Sequence, residues 1–169
     1  KMNIFYLNAN PESAAKVMYN RHVVKMILES AQLLCTAHRE NGNHDVPYKA
    51  THKNHPSAIW ARSNDLSYLW LYDHMMALGE EYKRRYGRTH LTIEKCRDVL
   101  MSLPPNIPSN DWADPPQCMP DEYKCDNAVD AVGIALPQLD GKTAGPVADG
   151  CSQGETKSVR MTFSSLSIV

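Results

Sequence analysis

The sequence predicts a mainly α protein: a compact single-domain helical fold with a short N-terminal extended segment and a Pro-rich loop. Three observations carry this. Apolar residues recur at helical spacing through two long stretches, start and stop signals bound those stretches, and six prolines between 104 and 120 close the helical part.

"MNIFYL" suits a short strand or extended arm. Asn10 followed by Pro11 is a helix start, an N-cap with proline at the first helical position, and Glu12 adds charge favourable to the helix dipole. From there the pattern predicts one helix to about His38, with Val17, Val24, Ile27, Leu28, Ala31, Leu34 and Cys35 on its buried side. "RENGNHDVP" breaks it, Gly42 and Pro47 being the punctuation. After the loop "YKATHKNHP", a second helical zone starts near Ser57, with Leu66, Leu69, Trp70, Met76 and Ala77 at helical spacing and Gly87 placed to stop it. Thr92 is the expected cap of a third helix, "IEKCRDVLM", which ends before Pro104 and Pro105. Beyond it the prolines make an extended, stiff loop around Trp112.

Twelve of the 13 aromatic residues and all seven histidines fall in 1–124. Residues 1–125 are therefore expected to form the helical domain. A tail at 126–169 with so few large apolar groups cannot offset its ordering entropy and is expected to be poorly ordered. The net charge of -1 supplies no overall basic field, so nucleic-acid binding would need a local patch. No apolar run approaches a membrane span and no signal peptide is expected, with Met2 as the natural start and Lys1 a remnant before it. Five widely spaced cysteines without a CxxC fit reduced thiols in a cytoplasm.

Candidate chemistry concentrates in two places. His22, Lys25, Glu29, Gln32 and Thr36 recur at 3, 4, 3 and 4 and would share one helix face. A desolvated Lys25 would serve as an amine nucleophile and Glu29 as its proton shuttle. The bland alternative is a solvated face with Lys25 and Glu29 as an ordinary i,i+4 pair worth roughly 0.3 kcal/mol. In "YKATHKNHP", Tyr48, Lys49, His52, Lys53 and His55 crowd cationic groups ahead of a helix start, which suits phosphate, and Arg62 follows closely. Cys35 and His38 with His52 and His55 would supply four zinc ligands, a weaker alternative; no metal or cofactor is expected. The cations of "KRRYGRTH" complement a helix C-terminus, with a phosphate footprint as the alternative. Trp60, Trp70, Tyr68 and Tyr72 read as core, and Trp112 as the better stacking aromatic. The common nucleotide-binding, hydrolase and metalloprotease signatures are absent.

The strings "MNIFYL", "HVVKMILESAQLL", "YKATHKNHPSAIW", "EEYKRRYG" and "MPDEYK" resemble a family of small proteins of T-even-like tailed phages, especially those infecting cyanobacteria. That resemblance covers roughly 2–125 and implies a phage origin and a host-cell cytoplasmic location. The order of elements, with a histidine and a glutamate seven residues apart, is also similar to the phage pyrimidine-dimer DNA glycosylases of the endonuclease V type. This second resemblance implies an all-α enzyme that flips a nucleotide, forms a Schiff base through an amine and uses a glutamate in the sugar chemistry. His22 and Glu29 fall on that family's histidine and glutamate.

The chain departs from this pattern in three respects. The family's nucleophile is an α-amine exposed by methionine removal, whereas Asn3 after Met2 favours retention, leaving Lys25 as the only amine on the stripe. Leu28 and Gln32 stand where the family places arginines, so phosphate contacts pass to Lys49, Lys53 or Arg62. In place of a final aromatic, basic helix, 128–169 reads as a frame-shifted or divergent end.

The expected function is a DNA- or nucleotide-acting enzyme, in the first instance a glycosylase/lyase. His22, Lys25, Glu29 and Gln32 would face His52 and His55 across a cleft. The alternatives are a nucleotide or modified-base transferase using the same pocket, and a non-enzymatic module that binds a host protein.

Overall fold

A computed structural model describes residues 4–118; the expected tail at 126–169 lies outside them. The described residues are mainly α: α1 (Pro11–Lys16), α2 (Asn20–Glu40), α3 (Pro56–Ala61), α4 (Asp65–Tyr86) and α5 (Leu91–Leu100), with no strand among them. The N-terminal segment is extended but unpaired. Its bonds run two residues back, from the Tyr6 N–H to the Ile4 carbonyl and from Leu7 to Phe5, both at 3.0 Å, and it buries Ile4 and Tyr6 against the helices.

Each long stretch expected as one helix is two. The first breaks at residues 17–19, and the reason lies on α4. Arg85 donates to the carbonyls of Met18 at 2.7 Å and Lys16 at 3.1 Å and to Asn20 Oδ1 at 3.0 Å, so carbonyls left over by the break are satisfied by a guanidinium. The break places Val17 in the open, 64% exposed, not in the core. It also leaves the buried arc of α2 on Val23, Met26, Ile27, Ser30, Leu33 and Leu34. Val24 and Leu28, expected inside, are 37% and 38% exposed.

The second stretch breaks at Asn64, whose side chain accepts the Ser67 N–H at 2.8 Å and starts α4 afresh. The buried positions of α4 are Tyr68, Trp70, Leu71, Met75 and Leu78, while the expected core residue Leu69 is 38% exposed. Gly87 ends α4 as expected, in the left-handed conformation at φ 70°. The N-cap of α5 is His90, whose Nδ1 accepts the Thr92 N–H at 3.2 Å; Thr92 lies inside the helix.

α4 is the central strut. α2 packs antiparallel to it, since Asn20 meets Arg85 at one end and His38 meets Tyr68 at the other. α1 runs parallel to α4, with the Pro11 carbonyl bonded to His74 and the Lys16 carbonyl to Arg85. α5 crosses at Gly79, where any Cβ would sit 2.9 Å from the Ile93 side chain.

The Pro-rich segment is a strap over the α3–α4 junction. The Trp60 indole N–H donates to the Ala113 carbonyl at 2.8 Å, and the Asp65 N–H to the Pro108 carbonyl at 2.9 Å. Under it, Tyr6, Trp60, Trp70 and Trp112 form one aromatic cluster with centroid separations of 5.0–6.3 Å.

The zinc alternative fails on packing. Cys35 is fully buried, and His38 spends both ring nitrogens inside. Nδ1 accepts from the Asn43 amide at 3.0 Å, while Nε2 donates to the Tyr68 oxygen at 2.8 Å; the Tyr68 hydroxyl in turn donates to the Leu100 carbonyl.

Candidate active site

Residues on α2 turn by about 100° per position. Around its open side the order is therefore Val24, Leu28, Arg21, Gln32, Lys25, Glu29 and His22. The stripe divides into three parts. His22 is 8% exposed, stacked on Phe5 at a centroid distance of 4.8 Å with Tyr19 edge-on at 6.1 Å, so its ring orientation is fixed. Lys25 and Glu29 form an ion pair at 3.2 Å, their side chains 59% and 14% exposed. Lys25 is therefore not desolvated, contrary to the sequence expectation, whereas its carboxylate partner is shielded and 3.2 Å from its ammonium. Thr36, at the far end, is buried and structural.

Thr36 is also where the loop meets the helix. Its hydroxyl accepts the Thr51 N–H at 3.1 Å and donates to the Gln32 carbonyl at 2.8 Å. Arg39 clamps the loop's beginning, donating to the carbonyls of Tyr48 at 2.8 Å and Val46 at 3.0 Å. The stripe and the basic loop thus share one side of the molecule. They meet at Thr36, about 10 Å along the helix axis from Glu29.

Within the loop the expected residues have different fates. Lys49 and Lys53 are exposed. His52 is exposed and holds a left-handed backbone, φ 47°, with its Nδ1 2.7 Å from Thr51 Oγ1. His55 caps α3, its Nδ1 accepting the Ser57 N–H at 3.2 Å. Tyr48 bonds Thr92 Oγ1 at 3.1 Å and fastens the loop to α5. Trp112 is half-buried, packed at right angles to Trp60 with its indole N–H on Asp114, so much of its ring serves the core. Gln32 and Arg62 are half-buried; Arg62 Nη1 is out of water yet makes no hydrogen bond among the described residues.

Charge separates across the fold. Residues 20–62 carry six Lys/Arg against three Asp/Glu, whereas residues 65–82 of α4 carry four Asp/Glu and no Lys/Arg. The groove between α1 and α4 is lined by Glu12, Asp73, Glu80 and Glu81 with Lys16. Burial, reinforced by Glu12, holds the Asp73 carboxyl above the usual carboxylate range. A polyanion is repelled there and drawn to the α2 side. The basic patch missing from the net charge is thus a matter of placement. Sequence reasoning overlooked Arg21, whose i,i+4 spacing to Lys25 was the available signal.

The amine–carboxylate pair of α2 and the basic loop thus lie on one side of this helical domain. Among protein families, the model described as pyrimidine dimer DNA glycosylase matches residues 2–94. The chain belongs to that family. No curated protein and no solved structure matches it. No helix among the described residues is long and apolar enough to cross a membrane.

Proposed function

We propose that the chain is a base-excision DNA glycosylase/lyase of the pyrimidine-dimer type, working from the exposed side of α2. The observation that carries this reading is the 3.2 Å contact between the Lys25 amine and the shielded Glu29 carboxylate, in a chain of this family. Glu29 takes a proton from the Lys25 ammonium, and the amine attacks C1′ of the damaged nucleotide. The glycosidic C–N bond breaks and its electron pair leaves with the pyrimidine. Glu29 gives the first proton to the departing pyrimidine, takes the second from the nitrogen and delivers it to O4′ as the lone pair opens the C1′–O4′ bond, leaving a protonated Schiff base, a free 4′ hydroxyl and a carboxylate again. Glu29 then removes a C2′ proton, and the electron pair expels the 3′ phosphate.

His22, held by Phe5, orients the sugar beside Glu29. Gln32, His52, Lys49, Lys53 and Arg62 carry the strand's phosphates, with Tyr48, His55 and Trp112 shaping their surroundings. The setting proposed for this work is the cytoplasm of an infected host, which the resemblance to T-even-like phage proteins supports.

Borohydride reduction traps the Schiff base. The reading expects a covalent adduct with dimer-containing or abasic DNA that is lost in Lys25→Ala. No adduct with either DNA sinks the glycosylase assignment. An adduct that survives in Lys25→Ala keeps the class and moves the nucleophile to another amine, the α-amine first.

A further inference from the structure

The side of α2 that carries Lys25 also carries two large apolar residues in water. Val24 and Leu28 are 37% and 38% exposed, and with Arg21 and Lys25 they stand at i, i+3, i+4 and i+7. Those four positions form one contiguous diamond on a helix. Arg21 and Lys25 are both exposed, so the apolar pair is flanked by cations. The core arc of the helix lies on Val23, Met26, Ile27 and Leu34, and Val24 and Leu28 stand beside it with more than a third of each open to water.

We infer that Val24 and Leu28 form an apolar wedge that enters the DNA stack beside the damaged nucleotide, with Arg21 on a flanking phosphate and Lys25 at the sugar. Three points single out DNA as the occupant. The diamond is continuous with the Lys25–Glu29 pair, which must reach a sugar carbon. Its cations complement a phosphate backbone, as the acidic α1–α4 groove does not. Apolar residues pressed between base steps unstack them, so contact area offsets the cost of opening the duplex. Leu28 thus fills by intercalation a position where the resembled glycosylases carry an arginine. This inference rests on the proposed glycosylase function and adds what selects a distorted or gapped base step.

The test uses the full chain and a duplex with 2-aminopurine beside a tetrahydrofuran abasic analogue. Wild-type protein is expected to raise 2-aminopurine fluorescence on binding and to prefer this duplex over an undamaged one. In the Val24→Ala/Leu28→Ala variant that preference is expected to fall at least tenfold, and most of the fluorescence rise to disappear. Leu28→Met, which keeps apolar reach, retains both. The ratio of borohydride adduct on duplex to adduct on single-stranded abasic DNA is expected to fall at least tenfold as well, since a single strand needs no unstacking.

Alanine favours helix, so the double variant is expected to fold, which circular dichroism checks. If the double variant keeps the wild-type preference and fluorescence, the wedge is overturned while the active site stands. If light scattering finds a wild-type dimer that the double variant splits, the patch belongs to a second copy of the chain and the wedge is again overturned. A wild-type protein that forms no adduct with any damaged DNA removes the active-site reading, and the wedge with it.

Discussion

Glu29 and Glu81 are both helical glutamates with shielded side chains, 14% and 10% exposed, yet their surroundings differ. Glu81 accepts from Arg84 at 2.8 and 3.2 Å and from Arg85 at 3.0 Å, and Arg85 goes on to hold the α1–α2 break. Glu29 pairs instead with the ammonium of Lys25, a side chain 59% exposed. The guanidinium of Arg84, then that of Arg85, holds the Glu81 carboxyl below its ordinary range and commits it to structure. His38 and His74 hydrogen-bond across the seams against α4, whereas His22 is buried against Phe5 and Tyr19, one turn from Lys25. Polar residues at helical spacing are thus common to both sides; their hydrogen-bond partners separate a joint from a candidate site.

The largest expected effect breaks the comparison if it fails. Glu29→Gln removes the proton acceptor while keeping shape, so single-turnover excision is expected to fall by about 10²–10⁴-fold. The melting temperature is expected to stay within about 2 °C, because an i,i+4 pair whose lysine stands in water is worth only a few tenths of a kcal/mol. Excision unchanged in Glu29→Gln would return the stripe to a solvated face.

Next comes His74, the seam counterpart of His22. It is buried, stacked on Trp70 at 4.9 Å, with Nδ1–H on the Pro11 carbonyl at 3.0 Å. Burial pushes its imidazole down to about 4. In the unfolded chain the ring titrates near 6.5, so between those values the unfolded state binds more protons. Stability is therefore full above pH 6.5 and is lost as pH falls toward 4, by roughly 3 kcal/mol. Urea midpoints at pH 7, 5.5 and 4.5 read this loss, and His74→Gln flattens it. A midpoint constant over that range would show that the seam does not hold His74 neutral.

Glu81→Gln is expected to cost about 1–3 kcal/mol, since it strips charge-assisted bonds from Arg85, whose side chain is only 14% exposed. Calorimetry is expected to show a melt lowered by several degrees with unchanged adduct yield per folded molecule. A loss of adduct without a loss of stability would place Glu81 in the chemistry and erase its contrast with Glu29.

The fold class, the Asn10 and Gly87 boundaries and the polar stripe were legible because each rests on local chemistry: a cap, a left-handed glycine, a spacing. The two helix breaks were not. Arg85 lies 67 residues from the Met18 carbonyl it satisfies, and no window around Val17 contains that information. Asn64 did signal its break, but the apolar run on either side masked it. Val24 and Leu28 followed the same logic: they look like core at helical spacing until the break fixes how α2 rotates against α4. Of the candidate site, the pairing of Lys25 with Glu29 was legible from spacing alone. The joining of the "THKNHP" loop to the stripe through Thr51 and Thr36 needed the tertiary structure.

The smallest expected effect concerns the end of α4 that carries the Glu81 network. Gly87 holds φ 70°, and a Cβ built there meets nothing within 4 Å, so Gly87→Ala adds no clash and its whole cost is backbone strain. That cost is about 1 kcal/mol for an L-residue in the left-handed region. Gly87 also donates its N–H to the Lys83 carbonyl at 2.8 Å, two residues before Arg85, so strain that unwinds the last turn would loosen the guanidinium from Met18 and Lys16. The expected result is a melt a few degrees lower, an unchanged borohydride adduct and slightly faster hydrogen exchange at residues 17–19. A melt lowered by much more would mean that the cap is coupled to the α1–α2 break as one cooperative joint. The contrast between the structural glutamate and the chemical one would then extend to the whole end of the molecule that α4 terminates.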